Sequence, residues 1–245
     1  MTSSSNPGRV AGFLYLLLGF SVFRPIYVEG ALIVRNSASA TAHNIATHES
    51  LFRFGIVCDL LAGLSCLVVA LALYRVLKQV DLSLAILMVL LGGCMPLAID
   101  FLNSLNDISA LLLVRGDGLQ SAFNQPQLAA LATLFLRIHE YGYVINEIFA
   151  GLWLLPFGIL VFRSVFIPRL IGVALLINGC AYLTIAFTGL LAPNFVDRVT
   201  RVASPAFLGE AAIMLWLMIK GARPQPQPVP AISSTALTER HSSRT

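Results

Sequence analysis

The sequence predicts an all-α integral membrane bundle of six transmembrane helices. Of the 245 residues, 57% are hydrophobic and only 11% are charged, whereas a soluble domain carries about 25% charged residues. The apolar residues fall in six runs, and each run except the short last one holds close to the ~20 residues that cross a bilayer core. The runs lack the period-2 alternation of strands, and backbone groups in lipid must be paired internally, so helices are predicted.

The predicted spans follow the apolar runs in order. Their approximate ranges are 10–34, 51–77, 82–105, 128–162, 168–191 and 205–219. Pro25, Pro96 and Pro156 lie inside the first, third and fourth spans. Pro25 is expected to kink the first helix, because proline removes a backbone donor and its ring clashes with the preceding turn. Residues 41–49 favour a short surface helix between the first two spans.

Glycine spacing and composition predict how the helices pack and where the domain ends. Gly12 and Gly19 in the first span, and Gly172 and Gly179 in the fifth, are heptad-spaced small residues that favour close helix packing. Residues 1–221 are predicted to form one six-helix transmembrane domain. Residues 222–245 contain Pro-Gln-Pro-Gln-Pro-Val-Pro followed by Ser and Thr. Such a segment cannot bury apolar surface, so a disordered cytoplasmic tail is predicted.

Basic residues near the span ends predict the orientation. The short loops 75–78 and 163–169 are basic, and Arg9, Lys220 and Arg223 flank the first and last spans. With six spans all of these residues lie on one side, so the positive-inside rule predicts that both termini are cytoplasmic. The bias is modest, because the opposite loops carry Arg35, Arg53, Arg115, Arg198 and Arg201. The first span is expected to be retained, because the Ala-Ser-Ala triplet at 38–40 lies too far beyond its core for signal-peptide cleavage.

Ionisable residues inside the apolar runs are the candidate functional residues. The set comprises Asp59, Asp100, Glu147, Glu210, Arg24 and Arg137, with His139 and Glu140 at the outer rim of the fourth span. A charge in hydrocarbon is costly, so such residues normally face the bundle interior or a water-filled cavity. At ~1.5 Å rise per residue, all of them fall in the outer half of their spans. One polar cavity that opens to the outside is therefore predicted.

Helical spacing groups several of these residues on shared faces. The faces are Arg137, Glu140 and Glu147 in the fourth span, and Asp100, Asn103 and Asp107 in the third. The face of the fourth span is expected to point into the bundle. Arg137 is expected to pair with an acid on another helix, or with Glu140 or Tyr141 one turn away.

Acidic residues outnumber basic residues in this region. The arginines are Arg24, Arg53 and Arg137, and the carboxylates are Glu29, Asp59, Asp100, Glu140, Glu147 and Glu210. Three guanidinium groups cannot neutralise six carboxylates. The surplus carboxylates are therefore protonated, matched by a bound cation, or wetted at the rim of an ion-pair network that only orders the bundle.

The charge pattern supports three hypotheses of function. The leading hypothesis is a membrane protein that binds or moves a cation, a proton or a small cationic solute, as a transporter or a sensor. The second is an intramembrane enzyme that uses carboxylates with or without a metal, and its candidate residues are Asp59, Asp100, Glu147 and His139. The third is a scaffold whose buried charges only specify packing. An enzyme is less favoured than a binding protein.

Several function classes lack support in the sequence. It contains no Walker loop, H-E-x-x-H, G-x-S-x-G or Rossmann fingerprint, so no cofactor is expected and no metal site is assigned. The four cysteines lie within apolar runs without metal-ligand spacing, so neither a metal centre nor a disulfide framework is predicted. The net charge of +4 needs no nucleic-acid explanation. The expected partners are the lipid bilayer and a cation or small solute, and no nucleic acid.

Four phrases in combination resemble a known family. They are Arg-Val-Ala-Gly-Phe-Leu-Tyr-Leu at 9–16, Glu-Ser-Leu-Phe-Arg-Phe-Gly at 49–55, Gly-Leu-Trp-Leu-Leu-Pro-Phe-Gly at 151–158, and Pro-Ala-Phe-Leu-Gly-Glu at 205–210. Over roughly residues 9–221 the chain resembles a bacterial multi-pass membrane family known as domain of unknown function 4386. The resemblance implies a bacterial plasma-membrane protein. It implies no activity and no site residues.

Overall fold

The computed structural model describes residues 6–222, and it is an all-α membrane bundle, as the sequence predicts. Six helices are long and apolar enough to cross a membrane. They are α1 (Pro7–Leu32), α3 (Glu49–Leu77), α4 (Leu82–Arg115), α5 (Gln125–Arg163), α6 (Arg169–Leu191) and α7 (Pro193–Ile219). The short helix α2 (Ala38–Thr47) connects α1 to α3. The prediction of six membrane-spanning helices is therefore confirmed.

Two spans are longer than the sequence predicts. Helix α4 continues to Arg115 rather than ending near residue 105. Its charged residue Asp107 is 0% exposed and paired inside the bundle, so that charge does not end the span. Helix α7 begins at Pro193 rather than near residue 205, because the amphipathic stretch Val196–Ala203 and the 3-10 turn Ser204–Phe207 lead directly into the apolar part.

Local sequence signals begin and end the helices. Asp81 caps α4, since its carboxylate accepts a hydrogen bond from the backbone N–H of Leu84 at 3.1 Å. Asn124 and Gln127 form a reciprocal capping box at the start of α5. Gly116 ends α4 in a left-handed conformation with φ of 69°. Residues that carry a Cβ rarely adopt this conformation, so glycine is favoured here.

Two of the three prolines predicted to lie inside spans, Pro25 and Pro96, lie at or just after a distorted helical turn. Helix α1 tightens to a 3-10 helix over Leu16–Val22 and then widens to a π-helix over Arg24–Glu29, around Pro25. Helix α4 has a π-helical turn over Leu90–Cys94, just before Pro96. These wide turns accommodate the missing proline donor and change the direction of the following side chains. Helix α5 remains α-helical through Pro156.

The two ends of the described chain meet. The Asn6 side chain accepts hydrogen bonds from the backbone N–H groups of Gly8 at 3.0 Å and Ala222 at 3.1 Å. Arg9 donates to the carbonyl oxygen of Ile219 at 3.0 Å. Ala222 is buried, so the packed chain extends to this residue. The rest of the predicted disordered tail lies outside the described residues.

Glycines bring helices into backbone contact. A Cβ on Gly172 of α6 would lie 2.6 Å from the backbone nitrogen of Phe162 in α5, and a Cβ on Gly179 would lie 2.9 Å from the Gly151 carbonyl oxygen. A Cβ on Gly12 of α1 would lie 2.6 Å from the backbone nitrogen of Met218 in α7. Close packing is therefore confirmed at these three glycines. Gly19 faces open space, so there the prediction is wrong.

Two apolar clusters lie above and below a polar layer. One cluster includes Ala11, Leu73, Met88, Phe157 and Leu217, towards the end of the bundle where the described chain begins and ends. The other includes Val28, Ile45, Phe52, Leu111 and Leu136, towards the opposite end. Along α1, α3 and α5 the ionisable residues fall between the two clusters. The packing therefore encloses the polar layer within the bundle.

The cytoplasmic location of the termini remains a prediction that reporter fusions test. Fusions after Leu77 and after Ser164 are expected to report a cytoplasmic location, because they follow the basic loop ends. Fusions near Ser39 and Gly118 are expected to report an external location. An external signal from either basic loop would contradict this orientation.

Candidate acidic cavity

A cavity of about 520 Å³ lies in the polar layer and is lined by residues from all six spans. Six carboxylates line it: Glu29, Asp59, Asp100, Glu140, Glu147 and Glu210. Within residues 6–222, no lysine, arginine or histidine is among its lining residues. Five of the candidate residues thus line the same cavity. They are Asp59, Asp100, Glu140, Glu147 and Glu210. The other three, Arg24, Arg137 and His139, lie elsewhere.

Arg24 is buried behind the cavity wall in an ion-pair network. Its guanidinium donates two hydrogen bonds to Asp107, at 2.5 and 2.7 Å, and one to Asp59 at 3.1 Å. The side chain of Arg24 is 1% exposed, and the Phe52 ring lies against it at 5.8 Å. The π-helical turn at Pro25 begins at Arg24 and directs its side chain inwards. A bidentate arginine–carboxylate pair is the strongest form of charged hydrogen bonding in proteins.

Asp107 was not counted among the candidate residues, although the sequence contains the signal that identifies it. Asp100, Asn103 and Asp107 share one face of the helix, and Asp107 was passed over because the predicted span ended before it. In the structure it is 0% exposed and is the main partner of Arg24.

His139 lies inside the same network and not at a rim. Helix α5 begins at Gln125, so His139 is several turns inside the helix and is only 2% exposed. Its Nδ1 lies 3.3 Å from an Asp107 oxygen, and its Nε2 lies 3.9 Å from an Asp59 oxygen. The Asn103 amide donates to its backbone carbonyl at 3.0 Å. The sequence analysis places His139 at the outer rim of the span, whereas in the structure its ring is buried against aspartates of α3 and α4.

The set Asp59, Asp107 and His139 has a spacing that suits a metal ion, since their ligand atoms lie within 4.8 Å of one another. However, the Arg24 guanidinium already bonds to both carboxylates. A divalent ion at this point would have to displace Arg24 or lie beside its positive charge. This set of side chains therefore fits an internal ion pair better than a metal centre. The hypothesis of a metal-dependent enzyme is weakened accordingly.

Neutral donors hold three of the cavity carboxylates in place. Tyr143 donates to Asp59 at 2.6 Å and Asn146 donates to Asp100 at 2.8 Å. Glu210 accepts from Tyr15 at 2.9 Å and from Asn178 at 3.2 Å. The tyrosines and asparagines come from α1, α5 and α6, and the sequence analysis does not assign Tyr15 or Asn178 to the site. Each of these two lies in an apolar stretch without an adjacent charged residue.

Four cavity carboxylates have no cationic partner. Within residues 6–222, Arg24 is the only lysine or arginine whose nitrogen lies within 4.0 Å of a cavity carboxylate, and it reaches Asp59 and Glu29. The four that remain are Asp100, Glu140, Glu147 and Glu210. Arg53 instead pairs with Glu49 at 2.6 Å, at an exposed position. The charge imbalance that the sequence predicts is therefore concentrated in the cavity.

Two buried amide groups that donate to cavity carboxylates have side-chain oxygens with no hydrogen-bond donor among the described residues. The side-chain oxygens of Asn146 and Asn178 are both inaccessible and have no partner among the described residues. Each amide already donates through its nitrogen to a carboxylate, Asp100 and Glu210 respectively. A buried acceptor without a donor costs free energy, so such groups in a native site indicate a missing donor.

Arg137 faces a different cavity. A second cavity, of about 910 Å³, is lined by Arg35, Arg137, Glu29 and Glu140 among others. The Arg137 side chain is exposed and has no carboxylate within 4.0 Å among residues 6–222. The expected pairing of Arg137 with an acid is therefore not seen in the described part of the chain. The arginine that is buried and paired is Arg24.

Comparison with known proteins provides the family but no described activity. No curated protein and no solved structure matches the chain significantly. The model of the family described as Domain of unknown function (DUF4386) matches residues 10–221, which is most of the chain. The chain therefore belongs to the DUF4386 family.

Proposed function

We propose that this protein binds an organic cation, such as a protonated amine, in the cavity of about 520 Å³ within its transmembrane bundle. The observation that carries the proposal is the presence of four cavity carboxylates, Asp100, Glu140, Glu147 and Glu210, with no cation within 4.0 Å among the described residues. Uncompensated charge in a bundle interior is costly, and Asp100, Glu147 and Glu210 are partly buried, so a positively charged ligand would be stabilised beside them.

The unpaired amide oxygens support an ammonium ligand in particular. Asn146 lines the cavity and has a buried side-chain oxygen that accepts no hydrogen bond from the described residues, while its nitrogen donates to Asp100. Asn178, behind the lining, has the same arrangement at Glu210. An ammonium group carries several N–H donors, so it can bond to a carboxylate and to an amide oxygen at once. A ligand of this kind would provide both the missing charge and the missing donors.

The spacing of the carboxylates favours an organic cation over a metal ion. A metal ion requires several ligand atoms that converge on one point. Among residues 6–222, the only group of three candidate ligands that converges is Asp59, Asp107 and His139, and Arg24 already occupies it. The other cavity carboxylates are dispersed around a volume much larger than a single ion.

Aromatic side chains favour the same class of ligand. Tyr143, Trp153 and Tyr182 line the cavity together with the carboxylates. Aromatic faces attract cations, and the attraction is larger where water is excluded. The cavity thus offers both apolar surface and negative charge, which suits an ammonium group that carries a short hydrocarbon chain.

Ligand binding by purified protein tests the proposal. Butylammonium is expected to raise the melting temperature in a concentration-dependent way, since a ligand at 100 times its dissociation constant stabilises by about 2.7 kcal/mol. Glu147→Gln and Glu210→Gln are each expected to weaken binding about tenfold or more, because each removes a charged hydrogen bond. Glu49→Gln is the matched control, because Glu49 is paired with Arg53 outside the cavity and should leave binding unchanged.

The same measurement separates the alternatives. A scaffold would show no stabilisation by butylammonium in any variant, and this result would refute the proposed function. Stabilisation that is equal in wild type, Glu147→Gln and Glu210→Gln would place the ligand outside this cavity and would also refute it. A carboxylate-based enzyme would chemically convert the bound amine, which mass spectrometry of the incubated ligand detects.

We also propose that the protein is located in a bacterial plasma membrane with both termini in the cytoplasm. The basic loop ends at Arg75, Lys78, Arg163 and Arg169 support this orientation. The meeting of Asn6 and Ala222 agrees with an even number of spans.

A further inference from the structure

The two cavities are neighbours that share part of their lining. Glu29 of α1 and Glu140 of α5 line both the acidic cavity of about 520 Å³ and the second cavity of about 910 Å³. The two cavities therefore adjoin at these two glutamates.

The second cavity differs from the first because it contains arginines. Arg35, at the end of α1, and Arg137, on α5, both line it, and both are exposed. Within residues 6–222 neither arginine has a carboxylate within 4.0 Å, although Glu29 and Glu140 line the same space. Guanidinium groups bind phosphate and carboxylate oxygens through paired N–H donors. The second cavity is thus lined by two guanidinium groups that have no carboxylate partner among the described residues.

The mixture of positive and negative side chains at the junction favours a ligand with both charges over a simple ion. A plain cation there would be attracted by Glu29 and Glu140 but repelled by Arg35 and Arg137. A plain anion would be attracted by the two arginines but repelled by the two glutamates. A molecule that carries a positive and a negative group at a short separation satisfies both pairs at once.

A buried polar atom lies close to one residue of the junction. The Arg24 side chain is 1% exposed, and its Nε atom has no hydrogen-bond partner among the described residues. An oxygen of Glu29 lies 3.8 Å from that atom, which is too far for a hydrogen bond. Glu29 is thus attracted by Arg24 without being fixed by it. Its carboxylate remains available to an ammonium group at the boundary between the cavities.

Apolar side chains complete the site. Ile33, Leu136, Val144 and Val196 line the second cavity between the charged groups. A hydrocarbon chain attached to the ligand would therefore be buried against protein.

We infer that the two cavities together bind one zwitterionic amphiphile, a phosphate ester of an amino alcohol, with its phosphate at Arg35 and Arg137 and its ammonium at Glu29 and Glu140. This inference rests on the proposed function, since it names the class of organic cation that the acidic cavity takes. Compared with the proposed function, the inference gives the ligand a phosphate group and assigns Arg35 and Arg137 to the binding site.

Binding of four probes to the purified protein in a non-ionic detergent tests the inference. The probes are hexylammonium, hexyl phosphate, hexyl phosphoethanolamine and phosphoethanolamine. Hexyl phosphoethanolamine is expected to bind wild type about tenfold more tightly than hexylammonium, because it adds charged hydrogen bonds to the arginines. Arg35→Gln and Arg137→Gln are expected to remove that advantage, while hexylammonium should bind each variant no more weakly than wild type, since neither arginine attracts a plain cation.

Arg198→Gln is the matched control, because Arg198 is exposed and lines neither cavity. Its preference for the zwitterion should equal that of wild type. Melting temperatures of all three arginine variants should stay near wild type, since none of these arginines has an ion pair within the described residues to lose. Any loss of zwitterion binding therefore reports the site and not the fold.

The outcomes separate this inference from the proposed function. If hexylammonium and hexyl phosphoethanolamine bind equally, or if Arg137→Gln retains the preference, the inference is overturned while the cation proposal stands. If none of the probes binds, both fail. If hexyl phosphate alone binds as tightly as the zwitterion, the ligand is an anion and the inference also fails. Tight binding of phosphoethanolamine supports a soluble phosphate ester, whereas a requirement for the hexyl chain supports a lipid headgroup.

Discussion

Arg24→Met is expected to destabilise the protein by about 3–5 kcal/mol, because removing one partner leaves a buried charge without compensation. Asp107 is 0% exposed and takes two of the three hydrogen bonds that the Arg24 guanidinium donates to carboxylates. Without Arg24, Asp107 is left with only a histidine ring nitrogen at 3.3 Å. Thermal unfolding in detergent, followed by far-UV circular dichroism, should show a clear fall in melting temperature.

Arg53→Met is the matched control for this prediction. Arg53 also forms a short ion pair, at 2.6 Å to Glu49, but its side chain is 53% exposed. An exposed pair one helical turn apart contributes only about 0.3–0.5 kcal/mol, so little change is expected. Adding Asp107→Leu to Arg24→Met should recover part of the stability, since the stranded charge is then gone. If Arg24→Met and Arg53→Met melt at the same temperature, the network does not stabilise the bundle.

Gly172→Ala is expected to destabilise the α5–α6 contact by about 1–3 kcal/mol, the usual cost of overpacking. The added Cβ would lie 2.6 Å from the Phe162 nitrogen and 2.8 Å from the Gly158 carbonyl oxygen. These are backbone atoms, so no side-chain rotation relieves the clash and the helices must separate. Small residues at such contacts allow the close packing on which membrane helices depend.

Gly19→Ala is the matched control, because Gly19 lies seven residues from Gly12, just as Gly172 lies seven residues from Gly179. A Cβ at Gly19 meets nothing within 4 Å. Alanine favours helix over glycine by about 1 kcal/mol, so this variant should be as stable as wild type or slightly more stable. Equal losses of stability in the two variants would show that the glycine contact is not what holds α5 and α6 together.

Comparison of the two glycine pairs shows how far a sequence pattern predicts packing. Both pairs have the same spacing, yet Gly12 contacts α7 while Gly19 faces open space. The difference arises because α1 changes to a 3-10 helix at Leu16, which rotates Gly19 away from the face that carries Gly12. A pattern based on regular helical spacing cannot anticipate this change.

The arginines show the same limit for the candidate site. In sequence, Arg24 and Arg137 are equivalent, since each lies within an apolar run near carboxylates. In the structure, Arg24 is buried with two aspartates while Arg137 is exposed on a separate cavity. The depth of a residue along its helix follows from counting residues, but its direction depends on the rotation of that helix against its neighbours. The π-helical turn at Arg24 contributes to that rotation.

The sequence by itself determined the class of the protein, the six spans and the excess of carboxylates over cations in one half of the bundle. These properties depend on hydrophobic length and on depth along each helix, both of which are local. Only the tertiary structure decided that Asp107 and Asp59 pair with Arg24, and that Glu29 and Glu140 line two cavities. Those facts depend on side chains from helices far apart in sequence. Their meeting is set by helix rotation and close packing, which no single helix encodes.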